Sequence, residues 1–251
     1  MNRSTLWLQP HPAESDPLAR FFCLPHAGGG ATAFHSWTAE LPAIVQLCPV
    51  QLPGRETRLS ETLYTQIDSL VDAIYLELQP WTNIPFAVYG HSMGALLAFE
   101  LVRRLQCDGY PLPAWLFISG RCAPDVPCDT NLLHSLPDRE FISELARLYG
   151  GISQEFMENE ALREVFLPIL RADVSVVESY QFREGEPLNC PITAFSGMSD
   201  ASVSWDQLVG WKRQTNQRFA MQVLPGGHFY PQQPMLKTIS TTLAELWSQL
   251  G

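Results

Sequence analysis

One turn of the chain carries a serine directly between a buried strand and a helix. The apolar run at residues 86–89 precedes the sequence Gly-His-Ser-Met-Gly at residues 90–94, and small and apolar residues continue as a helical segment over 95–102. Glycines on both sides of the serine let the backbone approach neighbouring elements where a side chain would clash. A strand, a sharp turn and a helix in this order are typical of a nucleophile elbow. We therefore predict that Ser92 is a nucleophile.

Short apolar segments with the length of strands recur along the chain, with helical segments between them. They are residues 19–24, 45–50, 86–89, 115–119, 192–195 and 219–224. This alternation predicts an α/β fold whose mainly parallel sheet is flanked by helices on both faces. A chain of 251 residues, 46% of them hydrophobic, is sufficient for one such domain over residues 1–251. Residues 6–8 are a candidate antiparallel edge strand.

Residues 125–185 interrupt this alternation, because they contain helical patterns and no convincing strand. A helix is expected to begin near residue 136 and to end at the glycine pair 150–151. A second helical segment over 160–174 contains Pro168, which we expect to kink or divide it. In an enzyme with a serine nucleophile, such an insertion typically forms a lid over the active site. The alternative is a packed helical subdomain without a gating role.

The composition argues against several classes of protein. The formal net charge of −10 is unlike that of nucleic-acid-binding proteins, which usually present a basic surface. The N-terminal residues do not form a secretion signal, and no apolar segment reaches the length that a bilayer requires. Phosphate-binding glycine motifs and zinc-ligand spacing are absent as well. We expect a cytoplasmic protein that needs no cofactor, metal, nucleic acid or membrane.

The six cysteines include no C-x-x-C pair, which argues against a metal site. Cys23, Cys48 and Cys190 lie in or beside strand-like segments. We therefore expect buried free thiols rather than disulfides. The remaining cysteines are Cys107, Cys122 and Cys128.

A serine nucleophile requires a base, and an acid that orients the base. In folds with a nucleophile elbow, the three residues occur along the chain in the order serine, acid, histidine. Two histidines come after Ser92: His228 follows the last strand-like segment, whereas His134 lies among leucines in the insertion. A loop after a strand carries its side chains over the carboxyl edge of the sheet, so we predict that His228 is the base.

The acid should also follow a strand. Asp200 lies in the turn after the strand-like segment 192–195. Asp206 is a competitor, but it begins a helical segment, where stabilisation of the helix terminus explains it better. Asp125 and Asp129 precede most of the insertion and are weaker candidates. We predict that Asp200 is the acid.

The developing oxyanion requires two backbone N–H donors, one of them from the residue after the nucleophile, which is Met93. The other should come from the glycine-rich loop at residues 25–30, and we assign it to Ala27. We expect His26 to shape this loop by hydrogen bonding, and His91 to pack or to form hydrogen bonds, rather than to carry protons.

Together these segments resemble the type II thioesterases, the stand-alone editing enzymes of non-ribosomal peptide and polyketide synthases. The resemblance covers nearly the whole chain and rests on FCLPHAGGGA (22–31), VQLPGRE (50–56), YGHSMGA (89–95), LPD (136–138), LPILRAD (167–173) and GGHF (226–229). It implies an α/β-hydrolase fold with a helical lid, a triad of Ser92, Asp200 and His228, and oxyanion donors at Ala27 and Met93. Family members often have proline after the aspartate, whereas this chain has Ala201, which indicates a looser turn.

The resemblance also implies a reaction. Family enzymes hydrolyse misprimed or stalled acyl groups from the phosphopantetheine arm of peptidyl or acyl carrier proteins, in pathways to products such as siderophores and antibiotics. A carrier-protein partner and a monomeric enzyme follow from the resemblance. A small-molecule carboxylesterase of the same fold, an acyltransferase and a non-catalytic scaffold that docks on a synthetase are the alternatives. The intact set of predicted catalytic residues argues against the scaffold.

Overall fold

A computed structural model of the chain describes residues 6–12, 16–126 and 132–248. Its centre is a parallel sheet in the order β2-β1-β3-β4-β5-β6. The strands are β1 Ala19–Leu24, β2 Val45–Pro49, β3 Phe86–His91, β4 Trp115–Ser119, β5 Ile192–Gly197 and β6 Phe219–Leu224. Every adjacent pair is parallel, as the alternation predicts.

Helices cover both faces of this sheet, so successive side chains of the central strands are buried on opposite sides. In β1, Phe22 packs on the face of the first two helices, whereas Phe21 packs on the face of the last helix. The helices are α1 Ile67–Leu78, α2 Met93–Cys107, α3 Asp138–Tyr149, α4 Gln154–Glu158, α5 Glu160–Glu178, α6 Trp205–Val209 and α7 Gln232–Trp247. The predicted α/β fold, a parallel sheet flanked by helices, is confirmed.

Between β4 and β5 the chain forms α3, α4 and α5, which share a small apolar core of their own. Phe141, Phe156 and Val174 are among its buried members. Helix α5 runs unbroken through Pro168, so the proline does not divide this segment, and the kink expected as the alternative stays a prediction. Leu167 and Ile169 on either side of the proline are buried, and their packing offsets the lost backbone hydrogen bond.

The cysteines depart from the prediction at one position. Cys23, Cys48 and Cys190 are free and buried, as expected, but Cys122 is disulfide-bonded. Cys122 lies in the loop after β4 rather than in a strand, so its sulfur is not confined within the sheet. Cys128 lies outside the described residues.

Two further predictions concern an edge strand of the sheet and membrane-spanning segments. Leu8 forms a single antiparallel bridge with Val50, so the expected edge strand is reduced to one pair of residues. Within the described ranges, no helix combines the length and apolar character needed to cross a bilayer.

Candidate active site

Strand β3 ends at His91, and Ser92 forms the turn before α2. Its backbone has φ +55° and ψ −113°, a conformation that L-residues rarely adopt and that is maintained only by the surrounding structure. The Ser92 N–H donates to the Ser119 carbonyl at 2.8 Å. A Cβ at Gly90 would lie 2.0 Å from the Gly94 oxygen, and a Cβ at Gly94 would lie 2.2 Å from the Leu24 oxygen. Only glycine fits on either side of this serine.

Asp200 and His228, which follow β5 and β6, meet at the carboxyl edge of the sheet. His228 Nδ1 lies 2.9 Å from Asp200 Oδ2, and both side chains are almost completely buried. Burial alone would raise the pKa of the Asp200 carboxyl, but hydrogen bonds from His228 and Ser202, with the attraction of His228, lower it below its ordinary value. The carboxylate therefore stays ionised beside the imidazole.

Ser202 supports the same carboxylate, although the sequence did not single it out. Its hydroxyl donates to Asp200 Oδ1 at 2.6 Å, and its N–H donates to the same oxygen at 2.9 Å. The hydroxyl also lies 3.2 Å from His228 Nδ1. In this chain, a serine two residues after the aspartate closes the turn that lacks the proline common in the family.

A second layer of polar groups lies behind His228. His91 Nδ1 lies 2.7 Å from Ser119 Oγ, and Ser119 Oγ is in turn hydrogen-bonded to the Tyr230 hydroxyl. The ring centroids of His91 and His228 are 4.9 Å apart. Burial, together with the neighbouring histidines, lowers the pKa of His91 well below its ordinary value, so His91 is neutral. Its packing and hydrogen-bonding role agrees with the expectation from the sequence.

The glycine-rich loop after β1 is fixed from two sides. The Gly28 N–H donates to Asp173 Oδ2 at 2.7 Å, and the same carboxylate accepts two bonds from Arg55, at 2.7 and 2.9 Å. Further along, the Ala31 N–H donates to Gln51 Oε1 at 2.8 Å. Because Asp173 belongs to α5, the insertion directly holds the loop that contains the predicted oxyanion donor.

The two backbone N–H groups predicted to stabilise the oxyanion are both free to bind a substrate oxygen, as far as the described residues show. Neither the Ala27 N–H nor the Met93 N–H forms a hydrogen bond with another residue in the described part of the chain. His26 shapes the loop by hydrogen bonding, as expected, since its backbone carbonyl accepts from the Gly29 N–H at 2.9 Å. Its imidazole packs instead against Phe229, with centroids 5.0 Å apart.

The competing candidates lie elsewhere. His134 pairs with Glu178 in the insertion. Asp206 is in the first turn of α6, where the sequence places it. Asp125 accepts from Arg213 at 2.7 Å, and Asp129 lies outside the described residues.

A cavity of about 400 Å³ opens between the sheet edge and the insertion. Ser92, His228 and Ala27 line it from the sheet side. Most of the opposite wall is apolar and comes from α3 to α5 and the segments beside them. These residues include Leu145, Leu148, Tyr149, Phe156, Phe166, Leu170 and Val174. The arrangement suits an acyl group whose carbonyl carbon is held at Ser92.

Comparison with known proteins agrees with this geometry. The family model of the thioesterase domain matches residues 19–245. The gramicidin S biosynthesis protein GrsT of Aneurinibacillus migulanus is 43% identical over 224 residues, which are 89% of this chain and 87% of that protein.

Solved structures show the same fold. The RedJ thioesterase of the prodiginine pathway in Streptomyces coelicolor superposes with a TM-score of 0.84 at 35% identity, over 92% of this chain and 94% of that one. The type II thioesterase YbtT of the yersiniabactin pathway superposes with a TM-score of 0.82 at 34% identity, over 95% and 97%. With a match over nearly its whole length, the chain belongs to the thioesterase family, among relatives that include type II thioesterases of natural-product biosynthesis.

Proposed function

We propose that this protein is a type II editing thioesterase that hydrolyses aberrant or stalled acyl groups from the phosphopantetheine arm of carrier proteins. The observation that carries the proposal is the cavity in which Ser92 and His228 lie together, with Asp200 bonded behind the histidine. The relatives come from peptide and polyketide pathways, which supports a carrier protein of such a synthetase as the partner.

In the proposed reaction, Ser92 is the nucleophile, His228 the base and Asp200 the orienting acid. An Nδ1–H of His228 that donates to Asp200 leaves Nε2 free to accept the serine proton. As the serine oxygen bonds to the thioester carbonyl carbon, the carbonyl oxygen becomes an oxyanion. The N–H groups of Ala27 and Met93 stabilise that charge, because they are fixed in place before the reaction begins.

Collapse of this intermediate breaks the carbon–sulfur bond and releases the pantetheine thiol. A thiol is a good leaving group, so this step depends less on proton donation from His228 than cleavage of an amide does. Water then attacks the acyl-serine while His228 accepts its proton, and the free acid leaves. The phosphopantetheine belongs to the partner, so the enzyme itself needs no cofactor or metal.

We further propose that the insertion, over residues 125–185 of the single domain, acts as a lid. Its helices supply most of the apolar wall of the cavity, so their movement would open or close the route to Ser92.

Hydrolysis of acetyl-N-acetylcysteamine by four proteins tests the assignment: the wild type, Ser92→Ala, Asp200→Asn and Asp206→Asn. Loss of the nucleophile should lower turnover by about a million-fold. Loss of the orienting acid should cost about ten-thousand-fold. Asp206→Asn is the matched control and should retain activity. Retention of a tenth of the activity by Ser92→Ala, or a damaging Asp206→Asn with a harmless Asp200→Asn, would contradict the triad.

A further inference from the structure

The cavity that contains Ser92 is also lined by a guanidinium that has no hydrogen-bond or ion-pair partner among the described residues. Arg121 lies in the loop after β4 and lines the cavity. Its backbone is fixed, because the Trp211 Nε1–H donates to the Arg121 carbonyl at 2.8 Å. No residue in the described ranges forms a hydrogen bond or an ion pair with its side chain.

The guanidinium is partly withdrawn from water. Burial lowers the pKa of the Arg121 guanidinium. The nearby hydroxyls of Tyr149 and Tyr180 act in the opposite direction but offset this lowering only in part. The Tyr180 hydroxyl is engaged, since it donates to Glu100 at 2.7 Å. The side chain of Arg121 is partly exposed and lines the cavity, so its N–H donors can serve a ligand that enters there.

Glu178, the acidic residue that lines the cavity, does not neutralise this charge. Its carboxylate accepts from the Leu133 N–H at 2.7 Å and pairs with the ring of His134. The positive charge of Arg121 therefore remains available to a molecule that enters the cavity.

A second polar group completes this part of the wall. The Tyr149 hydroxyl has no hydrogen-bond partner among the residues that the structure describes, and it lies within electrostatic reach of Arg121. The Tyr149 ring is 4.9 Å from the His228 ring, centroid to centroid. Tyr149 thus lies close to the proposed reaction centre, and Arg121 lines the same cavity, whose wall is otherwise mainly apolar.

We propose that Arg121, with Tyr149 beside it, forms a subsite for an oxygen acceptor of the bound thioester, a carboxylate or carbonyl oxygen close to the scissile bond. A guanidinium donates two parallel hydrogen bonds to such oxygens. The inference rests on the proposed thioesterase function. The acceptor has two sources in a substrate of that function: a β-oxygen of the acyl group, or an amide carbonyl of the pantetheine arm.

Two substrate series separate these sources. The acyl series uses acetyl, butyryl, acetoacetyl and malonyl groups on N-acetylcysteamine, so that only the acyl oxygens vary. The arm series uses the acetyl group on ethanethiol, N-acetylcysteamine and pantetheine, so that only the amides vary. kcat/KM is measured for the wild type, Arg121→Met, Arg121→Lys and the control Arg218→Met, which alters an arginine that contacts Trp115 at the opposite edge of the sheet.

Arg121→Met should lower kcat/KM by at least about tenfold for one kind of oxygen-bearing substrate relative to its oxygen-poor counterpart. The lysine variant should lose less, and Arg218→Met should leave the ratios unchanged. A selective loss for acetoacetyl and malonyl thioesters assigns the subsite to the acyl group, and a selective loss for pantetheine assigns it to the arm.

A purely structural role gives a different result. Partial unfolding lowers the rates for all substrates by one factor, so equal ratios in Arg121→Met and the wild type would overturn the subsite while leaving the thioesterase function intact. Failure of the wild type on every thioester would instead contradict the proposed function itself.

Discussion

Arg55 and Asp173 form a buried, two-bond ion pair between the loop after β2 and helix α5, with N–O distances of 2.7 and 2.9 Å. The Asp173 carboxylate also accepts the Gly28 N–H. The pair therefore links the insertion to the loop that contains Ala27. The Gly28 N–H bond holds the peptide next to Ala27, the proposed oxyanion donor, and oxyanion stabilisation depends on donors that are fixed in advance.

Asp173→Asn should impair oxyanion stabilisation more than substrate binding. We expect kcat to fall by about tenfold or more, and the affinity for a trifluoromethyl ketone, which forms an oxyanion on the serine, to fall in parallel, with little change in KM. The matched control is Glu61→Gln, which disrupts the Arg58–Glu61 pair outside this loop. A fall in kcat with unchanged ketone affinity would contradict the positioning role.

Ser202→Ala should weaken the Asp200–His228 unit. The variant loses the hydroxyl that donates to Asp200 at 2.6 Å, and a hydrogen bond to a carboxylate contributes about 1.5–3 kcal/mol. We expect kcat to fall about tenfold, measured on a small thioester. Ser204→Ala is the control, because it removes the N-terminal cap of α6 and leaves Asp200 untouched. Equal losses in the two variants would show that Ser202 acts only through stability.

Gly120→Ala should damage the site by sterics. A Cβ at Gly120 would lie 2.7 Å from His91 Cε1 and 3.2 Å from His228 Cε1, and its φ is +61°. Gly109→Ala is a control for the backbone alone, since Gly109 has φ +72° with nothing within 4 Å of its Cβ. We expect Gly109→Ala to cost about 1 kcal/mol and keep activity, and Gly120→Ala to cost more and lose activity. Urea unfolding and kcat check this prediction, and full activity in Gly120→Ala would contradict it.

The protein should lose stability as the pH falls below neutrality. Burial, with the nearby His228, lowers the pKa of His26 from 6.5 to about 4. A histidine with a depressed folded-state pKa gives its full stabilisation above 6.5, and that stabilisation is lost as the pH falls toward 4. The loss amounts to at most about 3 kcal/mol from this residue.

His26→Asn should therefore flatten the dependence of unfolding free energy on pH, measured by urea denaturation between pH 7.5 and 4.5. The exposed His35, changed to Asn, is the control. The same pH dependence in His26→Asn and the wild type would contradict this account.

The sheet could be predicted from the sequence because each buried parallel strand is a continuous apolar run. Three of the six strands, β1, β4 and β6, have the predicted bounds. The glycines around Ser92 likewise allowed it to be predicted from the sequence. The structure shows why glycine is needed there, because neither flanking position has space for a Cβ. These features are local, so a short stretch of sequence contains them.

Contacts between distant segments could not be predicted in this way. Arg55 and Asp173 are 118 residues apart, and both occur in the family motifs without any signal that they pair. The role proposed for Arg121 depends on the lack of an ion-pair partner among the residues that the structure describes, which only the folded chain shows. The unbroken α5 likewise reflects packing that outweighs the local preference of Pro168.

The most direct test of the proposed function is the release of acetyl groups from a phosphopantetheinylated carrier protein, compared with release from acetyl-pantetheine, by the wild type and Ser92→Ala. An editing thioesterase should hydrolyse the carrier-bound thioester with the higher kcat/KM, and only when Ser92 is present. Equal kcat/KM for the two substrates would contradict recognition of the carrier, and release by Ser92→Ala at the wild-type rate would contradict the catalytic role of Ser92.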